Sequence, residues 1–394
     1  MLEKYKEGQV TFLSPPIQKV PTTGMQVFYN PQSELNRDIT ICVIQAFLNH
    51  YEKTDARVCT PLAGTGVRAI RIAKEVDRIK SVVAGDCNPI AAELIKRNSE
   101  LNRVSEIIEV HHSDANLLLT RHHHRSRKFD IIDIDPFGSP RNFFAAAIGA
   151  IKSHGLLCLT ATDIPVLVGI RPKACMKRYA ANPARTEYGH ELAIRLLLGS
   201  AVREAASQDI GLKPLLAFYA DHYIRVFCYA SKGDEAAWAA ISQLGHLVHC
   251  DECGFRQLTN KFQHFQPSCP KCDSKRTQIA GPLWANSLGS RVFIDGALKE
   301  SLQKPLGTKR RLTRLLKRLL KELDGPPTYF DLHKLCDELE IPIPSFQSVM
   351  RTLRDKGHFC SRTHFSPHAI RTSASAQTLH QTLMQITEDE KHHV

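Results

Sequence analysis

Between residues 56 and 163, short apolar runs alternate with longer amphipathic segments, and this alternation constrains the fold more than any other feature of the chain. Five runs have the β-branched, apolar character of strands: "ARVCT", "SVVAGD", "EIIEVHHSDAN" ending near Asp114, "FDIIDID" and "GLLCLTATD". The segments between them suit helices, and Asn88 and Pro89 are good first residues for one of these. A long helix at roughly 188–207 and two strands meeting near Asp221 follow. Because strands that alternate with helices form a doubly wound sheet, we expect a Rossmann-like α/β domain.

Acidic residues stand at the ends of four successive predicted strands. They are Asp86, Asp114, Asp135 and Asp163. Ligands of doubly wound sheets bind at the carboxyl ends of the strands. One acid at a strand end is unremarkable, but four in succession indicate a ligand site along that edge.

A glycine loop, "GTGVRA" at 64–69, follows the first strand, and Asp86 lies twenty residues after Gly66. This spacing suits a nucleotide whose ribose hydroxyls bind the acid. NAD and S-adenosylmethionine (SAM) both fit, and a plain tight turn is the third alternative. Asp114 and Ala115 of "SDAN" add a carboxylate for an adenine amino group and a backbone N–H for a ring nitrogen.

The stretch "DIDPFGSP" favours methyl transfer to an amine over hydride transfer. The exocyclic amine of a nucleobase is a poor nucleophile, and Asp135 offers an acceptor that orients it and takes its proton. Pro136 stiffens the turn, and Phe137 can stack on a base turned out of its helix. Asp133 faces the same side as Asp135. We expect Asp133 to cap local backbone or pair with an arginine, with a hard cation as the alternative.

Four of the twelve cysteines form two C-x-x-C pairs, Cys250 with Cys253 and Cys269 with Cys272, separated by fifteen residues. This spacing predicts a tetrahedral zinc site. Four thiolates leave no open coordination position, so the predicted Zn²⁺ is structural. Redox use of one pair is the alternative. We expect the other eight cysteines to be small core residues.

The net charge of +12 indicates a polyanionic partner, most simply nucleic acid. A basic amphipathic helix at about 308–323 concentrates this charge, and a solvated face is the alternative to RNA contact. The candidate RNA contacts are Lys309, Arg310, Arg311, Arg314, Lys317 and Arg318. The segment that follows, at 329–365, predicts a winged-helix-like unit.

Three regions are expected: 1–244 with the SAM-binding sheet, 245–372 as an α+β domain with the zinc module at 250–272, and a disordered tail at 373–394. The charged start "MLEKYKEGQ" is unlike a secretory signal. No apolar run approaches the roughly 20 residues of a membrane helix. Because cysteines are kept reduced in the cytoplasm, the many cysteines favour a cytoplasmic protein. We also expect a monomer without membrane contact.

Ten stretches occur in an order that resembles the Trm1 family, the tRNA (guanine-26, 2-amino) dimethyltransferases. They are "VFYNPQSELNRD", "GTGVRAIR", "SDAN", "DIDPFGSP", "TATD", "GHELAIR", "DHYIRVF", the four cysteines, "GPLW" and "SRTHFSPHAIRT". The resemblance implies a class I SAM-dependent methyltransferase. It also implies tRNA as substrate, with one or two methyl groups added to the 2-amino group of guanosine 26. The neighbouring tRNA position stays an open alternative target.

The resemblance also implies roles for individual residues. It makes Asp135 the catalytic aspartate, with Phe137 and Phe28 as base-stacking rings. It makes the cofactor contacts Arg37, Arg68, Asp86, Asp114 and Ala115. Two other classes of protein remain open, an NAD-dependent oxidoreductase and a non-catalytic, zinc-containing regulator that binds nucleic acid.

Overall fold

A computed structural model describes residues 2–17, 26–260 and 268–392 of the chain. The chain begins with an antiparallel hairpin of β1 (Glu3–Glu7) and β2 (Val10–Ser14), followed by helix α1 (Glu34–His50). Val10 and Phe12 of the hairpin are buried in the same core as α1. The hairpin is therefore part of the folded domain and not a separate arm.

The predicted alternation of strands and helices is confirmed. It runs through β3 (Ala56–Thr60), α2 (Val67–Glu75), β4 (Ile79–Asp86), α3 (Pro89–Leu101), β5 (Ile108–His112), α4 (Ala115–Thr120), β6 (Phe129–Ile134), α5 (Phe144–Ala150) and β7 (Ile151–Ala161). It continues with α6 (Ile164–Leu167), α7 (Pro172–Tyr179), α8 (Gly189–Ala206), β8 (Ile210–Ala220), β9 (Tyr223–Lys232) and α9 (Asp234–Ile241). The long predicted helix is α8, and the two last strands meet at Asp221.

Seven strands form one twisted sheet in the order β5-β4-β3-β6-β7-β9-β8. The first five are parallel, whereas β9 is antiparallel to both β7 and β8. All six residues of the central strand β6 are buried, because helices cover both faces of the sheet. The strand order reverses beside β3, so the carboxyl ends of β3 and β6 border the crevice where such sheets bind ligands. The predicted α/β class is confirmed.

The second half of the chain contains two small antiparallel sheets. The first has the order β11-β10-β12 and the second the order β13-β15-β14. The elements are β10 (Leu244–Cys250), β11 (Arg256–Thr259), β12 (Thr277–Trp284), α10 (Arg291–Gln303), α11 (Lys309–Glu322), β13 (Phe330–Asp331), α12 (Leu332–Glu338), α13 (Phe346–Asp355), β14 (Cys360–Arg362), β15 (Ala369–Thr372) and α14 (Ala376–His392). From α11 to β15 the order is helix, strand, two helices and a two-stranded wing, as in a winged helix. Residues 261–267 of the predicted zinc module lie outside the described ranges.

Helices α10 and α11 do not belong to a separate C-terminal core. Phe293, Ile294 and Leu312 are buried in the same hydrophobic cluster as α1 and one face of the seven-stranded sheet. A second cluster joins the other face of the sheet to β12. The predicted boundary after residue 244 therefore does not separate two packing units.

The prediction of a disordered tail at 373–394 is wrong for most of its length. Helix α14 spans Ala376–His392, and Leu379, Leu383 and Ile386 are buried against α12 and α13. The apolar residues recur every three or four positions, which gives a helix one face to bury even though its other residues are polar. Each helix in the described ranges, α14 included, is too short or too polar to span a membrane.

Candidate active site

The glycine loop between β3 and α2 shapes the floor of the crevice. Gly64 and Gly66 have φ values of +55° and +81°, and Gly66 immediately precedes α2. A Cβ on Gly64 would lie 2.8 Å from the carbonyl oxygen of Phe28. Glycine at this position therefore lets the segment that carries Phe28 cross close above the loop.

Asp86 and Asp114 stand at the ends of neighbouring strands, as predicted. Asp86 ends β4, and its two carboxylate oxygens each accept a backbone N–H at 2.9 Å, one from Gly64 and one from Asn88. Asp114 follows β5 and caps α4, where it accepts a backbone N–H at 3.0 Å. Ala115 is buried beside it. The carboxyl ends of β4 and β5 thus place two carboxylates near the glycine loop. A nucleoside can use one of them for its ribose hydroxyls and the other for the amino group of its base.

Asp133 is held by two arginines, which confirms the predicted arginine pairing. Arg225 donates to both carboxylate oxygens, at 2.9 and 2.7 Å, and Arg68 approaches one of them at 3.3 Å. The side chains of Asp133 and Arg225 have no solvent exposure. The hydroxyls of Thr40 and Thr160 accept further hydrogen bonds from Arg225 at 3.0 and 2.8 Å. This bidentate ion pair ties the carboxyl end of β6 to β9, the strand that carries Arg225.

Asp135 lies one residue beyond β6, and its side chain is 28% exposed. A second amino group of Arg68 donates to its Oδ2 atom. Burial acts to raise the pKa of the Asp135 carboxyl, but Arg68 and then Arg225 outweigh burial and hold this pKa below its usual range. Asp135 is therefore an ionised acceptor at the mouth of the crevice, while Asp133 is a structural anion beneath it.

Arg37 lies in a buried ion pair. It donates to the two carboxylate oxygens of Glu7 at 2.7 and 2.6 Å and to the Asn30 carbonyl at 3.0 Å. Arg71 binds the same carboxylate at 2.8 Å. Burial opposes ionisation of Glu7, but the two arginines lower its pKa to about 2. The N-terminal hairpin thus supplies the anion that neutralises Arg37, and the predicted cofactor contact of Arg37 stays a prediction.

The two predicted stacking rings touch each other. The Phe28 and Phe137 centroids are 4.1 Å apart with their planes at 74°. A base between two rings needs about 7 Å between them, twice an ordinary carbon contact. Phe137 is 51% exposed. The predicted pocket between the two rings is therefore closed, and about half of the Phe137 side chain faces solvent.

Hydrogen bonds fix the loop after Asp135 to the end of β7. The Gly138 N–H donates to the Thr162 hydroxyl at 2.7 Å, and the Ser139 hydroxyl donates to the Tyr179 hydroxyl at 2.6 Å. Tyr179 in turn donates to Asp163 at 2.8 Å. Asp163, a predicted strand-end acid, thus anchors α7 beside the loop. The sequence did not predict a role for Tyr179, because this residue belongs to no recognisable motif.

Sequence reasoning also missed the buried partner of Asp133. Arg225 lies within "DHYIRVF", a stretch that resembles the family but has no motif chemistry of its own. An arginine inside an apolar strand is rarely buried without a carboxylate partner. An arginine in an apolar strand therefore predicts a buried ion pair, although it does not identify the carboxylate.

The four predicted metal ligands converge. The sulfur atoms of Cys250, Cys253, Cys269 and Cys272 all lie within 4.8 Å of one another. Two of the separations are 3.7 and 3.6 Å. Four sulfurs placed about 2.3 Å from a tetrahedral Zn²⁺ would be about 3.8 Å apart, so the cluster fits zinc. The first cysteine pair begins at the last residue of β10 and lies before β11, and the second lies between β11 and β12. These strands form their own small sheet, whereas Asp135 follows β6 of the seven-stranded sheet.

The basic face of α11 borders a groove of about 440 Å³ against the winged-helix-like unit. Its cationic lining residues are Arg310, Arg314, Lys317, Arg318, Lys321, Arg354 and Arg362, and none of the described residues that line it is acidic. Three of the predicted RNA contacts have partners within the described part of the chain. Arg311 pairs with Asp221 at 2.5 Å, Lys309 donates to the Leu302 carbonyl at 2.6 Å, and Arg318 donates to the Thr363 carbonyl at 3.4 Å.

Comparison with known proteins agrees with this geometry. The family described as TRM, N2,N2-dimethylguanosine tRNA methyltransferase, matches residues 8–384. A tRNA (guanine(26)-N(2))-dimethyltransferase of Methanosphaera stadtmanae is 36% identical over 98% of this chain and 97% of the relative. One of the same name from Methanothermobacter thermautotrophicus is 36% identical over 96% and 97%.

A solved structure is similar over almost the whole chain. Trm1 from Pyrococcus horikoshii in complex with S-adenosyl-L-methionine has a TM-score of 0.83 and 33% identity, covering 97% of this chain and 100% of that one. The predicted family and fold are therefore confirmed. The chain belongs to the TRM family of N2,N2-dimethylguanosine tRNA methyltransferases.

Proposed function

We propose that the chain transfers methyl groups from SAM to the exocyclic 2-amino group of guanosine 26 in tRNA, once or twice. The observation that carries the proposal is Asp135, an ionised and partly exposed carboxylate at the end of β6, followed by Pro136 and the exposed ring of Phe137. Curated relatives that are matched over almost their full length have names that state this activity.

The donor groups at the crevice fit SAM. Asp86 suits the ribose hydroxyls, while Asp114 and the Ala115 N–H suit adenine. We assign the methionine carboxylate to Arg68, which lies at the mouth beside Asp135, with Arg37 as a second cation nearby. When bound, SAM supplies an electrophilic methyl group on a positively charged sulfur.

Asp135 does the chemistry that the protein must supply. Arg68 contacts its Oδ2 atom, so we assign Oδ1 as the acceptor of an N–H from the guanine amine. This hydrogen bond orients the nitrogen lone pair towards the methyl carbon. Forming the nitrogen–carbon bond would break the methyl–sulfur bond and leave SAM's sulfur as a neutral thioether. The methylated amine would then be strongly acidic and would give its proton to Asp135. A carboxylate with a lowered pKa suffices for this step because it must only be ionised at neutral pH.

Phe28 and Phe137 form the wall against which guanine stacks. Because the rings are in contact, we propose that the entering base displaces the Phe137 ring and occupies its place against Phe28. Turning the Phe137 ring back over an empty site would cover part of the Phe28 ring. A second methylation needs a fresh SAM and room for the monomethylated amine.

The basic groove beside α11 is the proposed docking surface for the tRNA body. Arg310, Arg314 and Lys317 are exposed on α11, and Arg354 and Arg362 face them across the groove. Phosphates are the ligands that such a concentration of positive charge favours. Of the six predicted contacts, Lys309, Arg311 and Arg318 are assigned supporting roles because their side chains have partners within the chain.

Localisation and assembly are also proposals. The cysteines described in the structure are free thiols, which suits the reducing cytoplasm. One chain supplies the glycine loop, Asp135, both stacking rings and the basic groove, so we propose that a monomer is active. The four-cysteine cluster is proposed to hold a structural Zn²⁺.

Neither open alternative is favoured at the site. A hydride-transfer enzyme has no use for a carboxylate, a proline and a ring at the end of β6. A non-catalytic regulator would not need carboxylates at successive strand ends.

The test is to incubate the protein with isotope-labelled SAM and an unmodified tRNA transcript, and then to map methylated nucleosides by mass spectrometry. A transcript with adenosine at position 26 is the matched control. Label on the 2-amino group of guanosine 26, lost in the control, supports the proposal. Label only elsewhere, or none, would contradict it.

A further inference from the structure

A second strongly basic surface lies between β7 and α8. It is next to the loop that follows Asp135, which we call the catalytic loop. From residue 164 to residue 186 there are five lysines or arginines and no acidic residue. The five cations are Arg171, Lys173, Lys177, Arg178 and Arg185, and all are exposed. Only Arg178 has a carboxylate partner within the described part of the chain, Asp163 at 3.1 Å. We call the cations Arg171, Lys173, Lys177 and Arg185 the α7 basic patch.

Helix α7 divides into a buried and an exposed face. Cys175 and Tyr179 are four residues apart and fully buried. Lys173, Met176 and Lys177 lie on the other side, three and four residues apart, and Met176 is 51% exposed. The helix thus presents a pair of cations around an apolar side chain, a combination that suits a phosphate backbone and the bases or sugars beside it.

The helix is held rigidly at its C-terminal end. Arg203 of α8 donates to the carbonyls of Tyr179 and Ala180 at 2.5 and 2.8 Å. Tyr179 also joins Asp163 to the Ser139 hydroxyl in the catalytic loop. Ser139 is four residues after Asp135, so Tyr179 joins the helix that carries Lys173 and Lys177 to the loop that follows the catalytic aspartate.

We propose that the α7 basic patch binds the RNA backbone that flanks the target nucleotide and holds it while the base enters the pocket. This inference rests on the proposed function. The groove beside α11 would hold a different part of the same tRNA. Unpaired cations on a fixed helix gain most from a polyanion with regularly spaced charges, and RNA has one phosphate per nucleotide. An acidic protein partner is the competing occupant.

The test compares Lys173→Glu/Lys177→Glu with the matched control Lys80→Glu/Lys232→Glu. The control pair is also exposed, changes the net charge equally, and lies at the opposite edge of the sheet, at the start of β4 and the end of β9. For each protein we would measure tRNA binding over a range of salt concentrations, SAM binding, and methyl transfer to guanosine 26.

The Lys173/Lys177 variant should bind tRNA more weakly, with a salt slope lower by about 2, and should have a raised KM for tRNA. SAM binding should be unchanged, and the control should resemble wild type. If charge reversal prevents folding, Lys173→Gln/Lys177→Gln provides the same comparison with a smaller effect.

Unchanged tRNA affinity and salt slope in a folded variant would overturn the inference and leave an acidic protein as the occupant. An equal loss in the control would also overturn it, since the effect would then be one of net charge. Failure of wild type to methylate guanosine 26 would instead overturn the proposed function, so the two failures are distinguishable.

Discussion

At the scale of residues, Asp133 and Asp135 are two positions apart and have opposite tasks. Asp133 is fully buried, and both of its carboxylate oxygens accept hydrogen bonds from Arg225. Asp135 is partly exposed and shares only Arg68 with it. Burial therefore decides which carboxylate fixes the strand and which one is available to a substrate.

Replacing Asp133 should damage the fold more than replacing Asp135. Asp133→Asn leaves the buried Arg225 without its anion, whereas Arg68 keeps Asp135 as a partner. Removing one partner of a buried ion pair costs about 3–5 kcal/mol in the free energy of unfolding. Asp135→Asn, the matched variant, should retain nearly wild-type stability because its site is partly hydrated. Urea denaturation of both variants checks this. Equal stability of Asp133→Asn and wild type would show that the buried pair is not needed.

The sequence was sufficient to place most of the strand-end carboxylates but not the contacts of the charged residues. Asp86, Asp114 and Asp135 follow apolar runs, so their strand-end positions can be read directly from the order of residues. The pairing of Arg37 with Glu7 joins a helix to the N-terminal hairpin. Long-range charge pairs of this kind depend on tertiary packing, which leaves no periodic pattern in the sequence.

At the scale of elements, the two cysteine knuckles connect short strands that have little apolar core of their own. Cys250→Ser should lower the zinc content from about one per chain and reduce thermal stability, because structural zinc contributes directly to folding. Cys87→Ser, which alters an exposed cysteine outside the cluster, is the control. Metal analysis and thermal melting test the prediction. A zinc-free Cys250→Ser protein with wild-type stability would contradict it.

Helix α11 combines a buried leucine face with the basic groove. Arg314→Glu/Lys317→Glu should weaken tRNA binding and reduce its salt slope by about 2, since each lost phosphate contact lowers the slope by about 1. Stability should change little because Arg314 and Lys317 are exposed, whereas the buried residues of the helix are Leu312, Leu316, Leu319 and Glu322. Salt-dependent filter binding checks this. An unaltered slope would place the tRNA body on another surface.

Strands buried on both faces and the leucine-rich helix α11 were predictable, whereas a mostly polar helix with a narrow apolar face was not. The strands of the sheet are apolar because both faces are covered, which makes them visible in the sequence. Helix α14 is mostly polar and gains its stability only from packing on α12 and α13. Likewise, the leucine spacing of α11 predicts a helix but does not say that it packs against α1.

At the scale of the whole molecule, a buried charge cluster ties the two halves of the chain together. Glu191 of α8 binds Arg195 at 2.8 Å within its own helix and Arg371 of β15 at 2.8 Å. Arg371 also contacts Glu322 of α11 at 3.2 Å. Relative movement of the halves would leave these charges unpaired and buried, so we expect them to unfold together.

This cluster predicts a loss of stability in acid. Burial alone would raise the pKa of Glu191, but Arg371 and Arg195 lower it to about 2. Because the folded pKa lies below the ordinary value, the stabilisation is complete above about pH 4.5 and is lost as the pH falls towards 2; it amounts to about 3 kcal/mol.

Urea denaturation between pH 7 and pH 3 tests this for Glu191→Gln, with Glu235→Gln on the surface as the control. Glu191→Gln should be less stable at pH 7 and should have a flatter dependence on pH than wild type. An identical acid profile in both variants would refute the assignment.

The central claim is that Asp135 accepts the proton of a guanosine amine as SAM donates its methyl group. A single-turnover assay with unmodified tRNA tests it most directly, using wild type and Asp135→Asn that bind SAM equally by calorimetry. Wild type should form N2-methylguanosine at position 26, and Asp135→Asn should be slower by about 100-fold or more. Transfer by Asp135→Asn at the wild-type rate would contradict the claim.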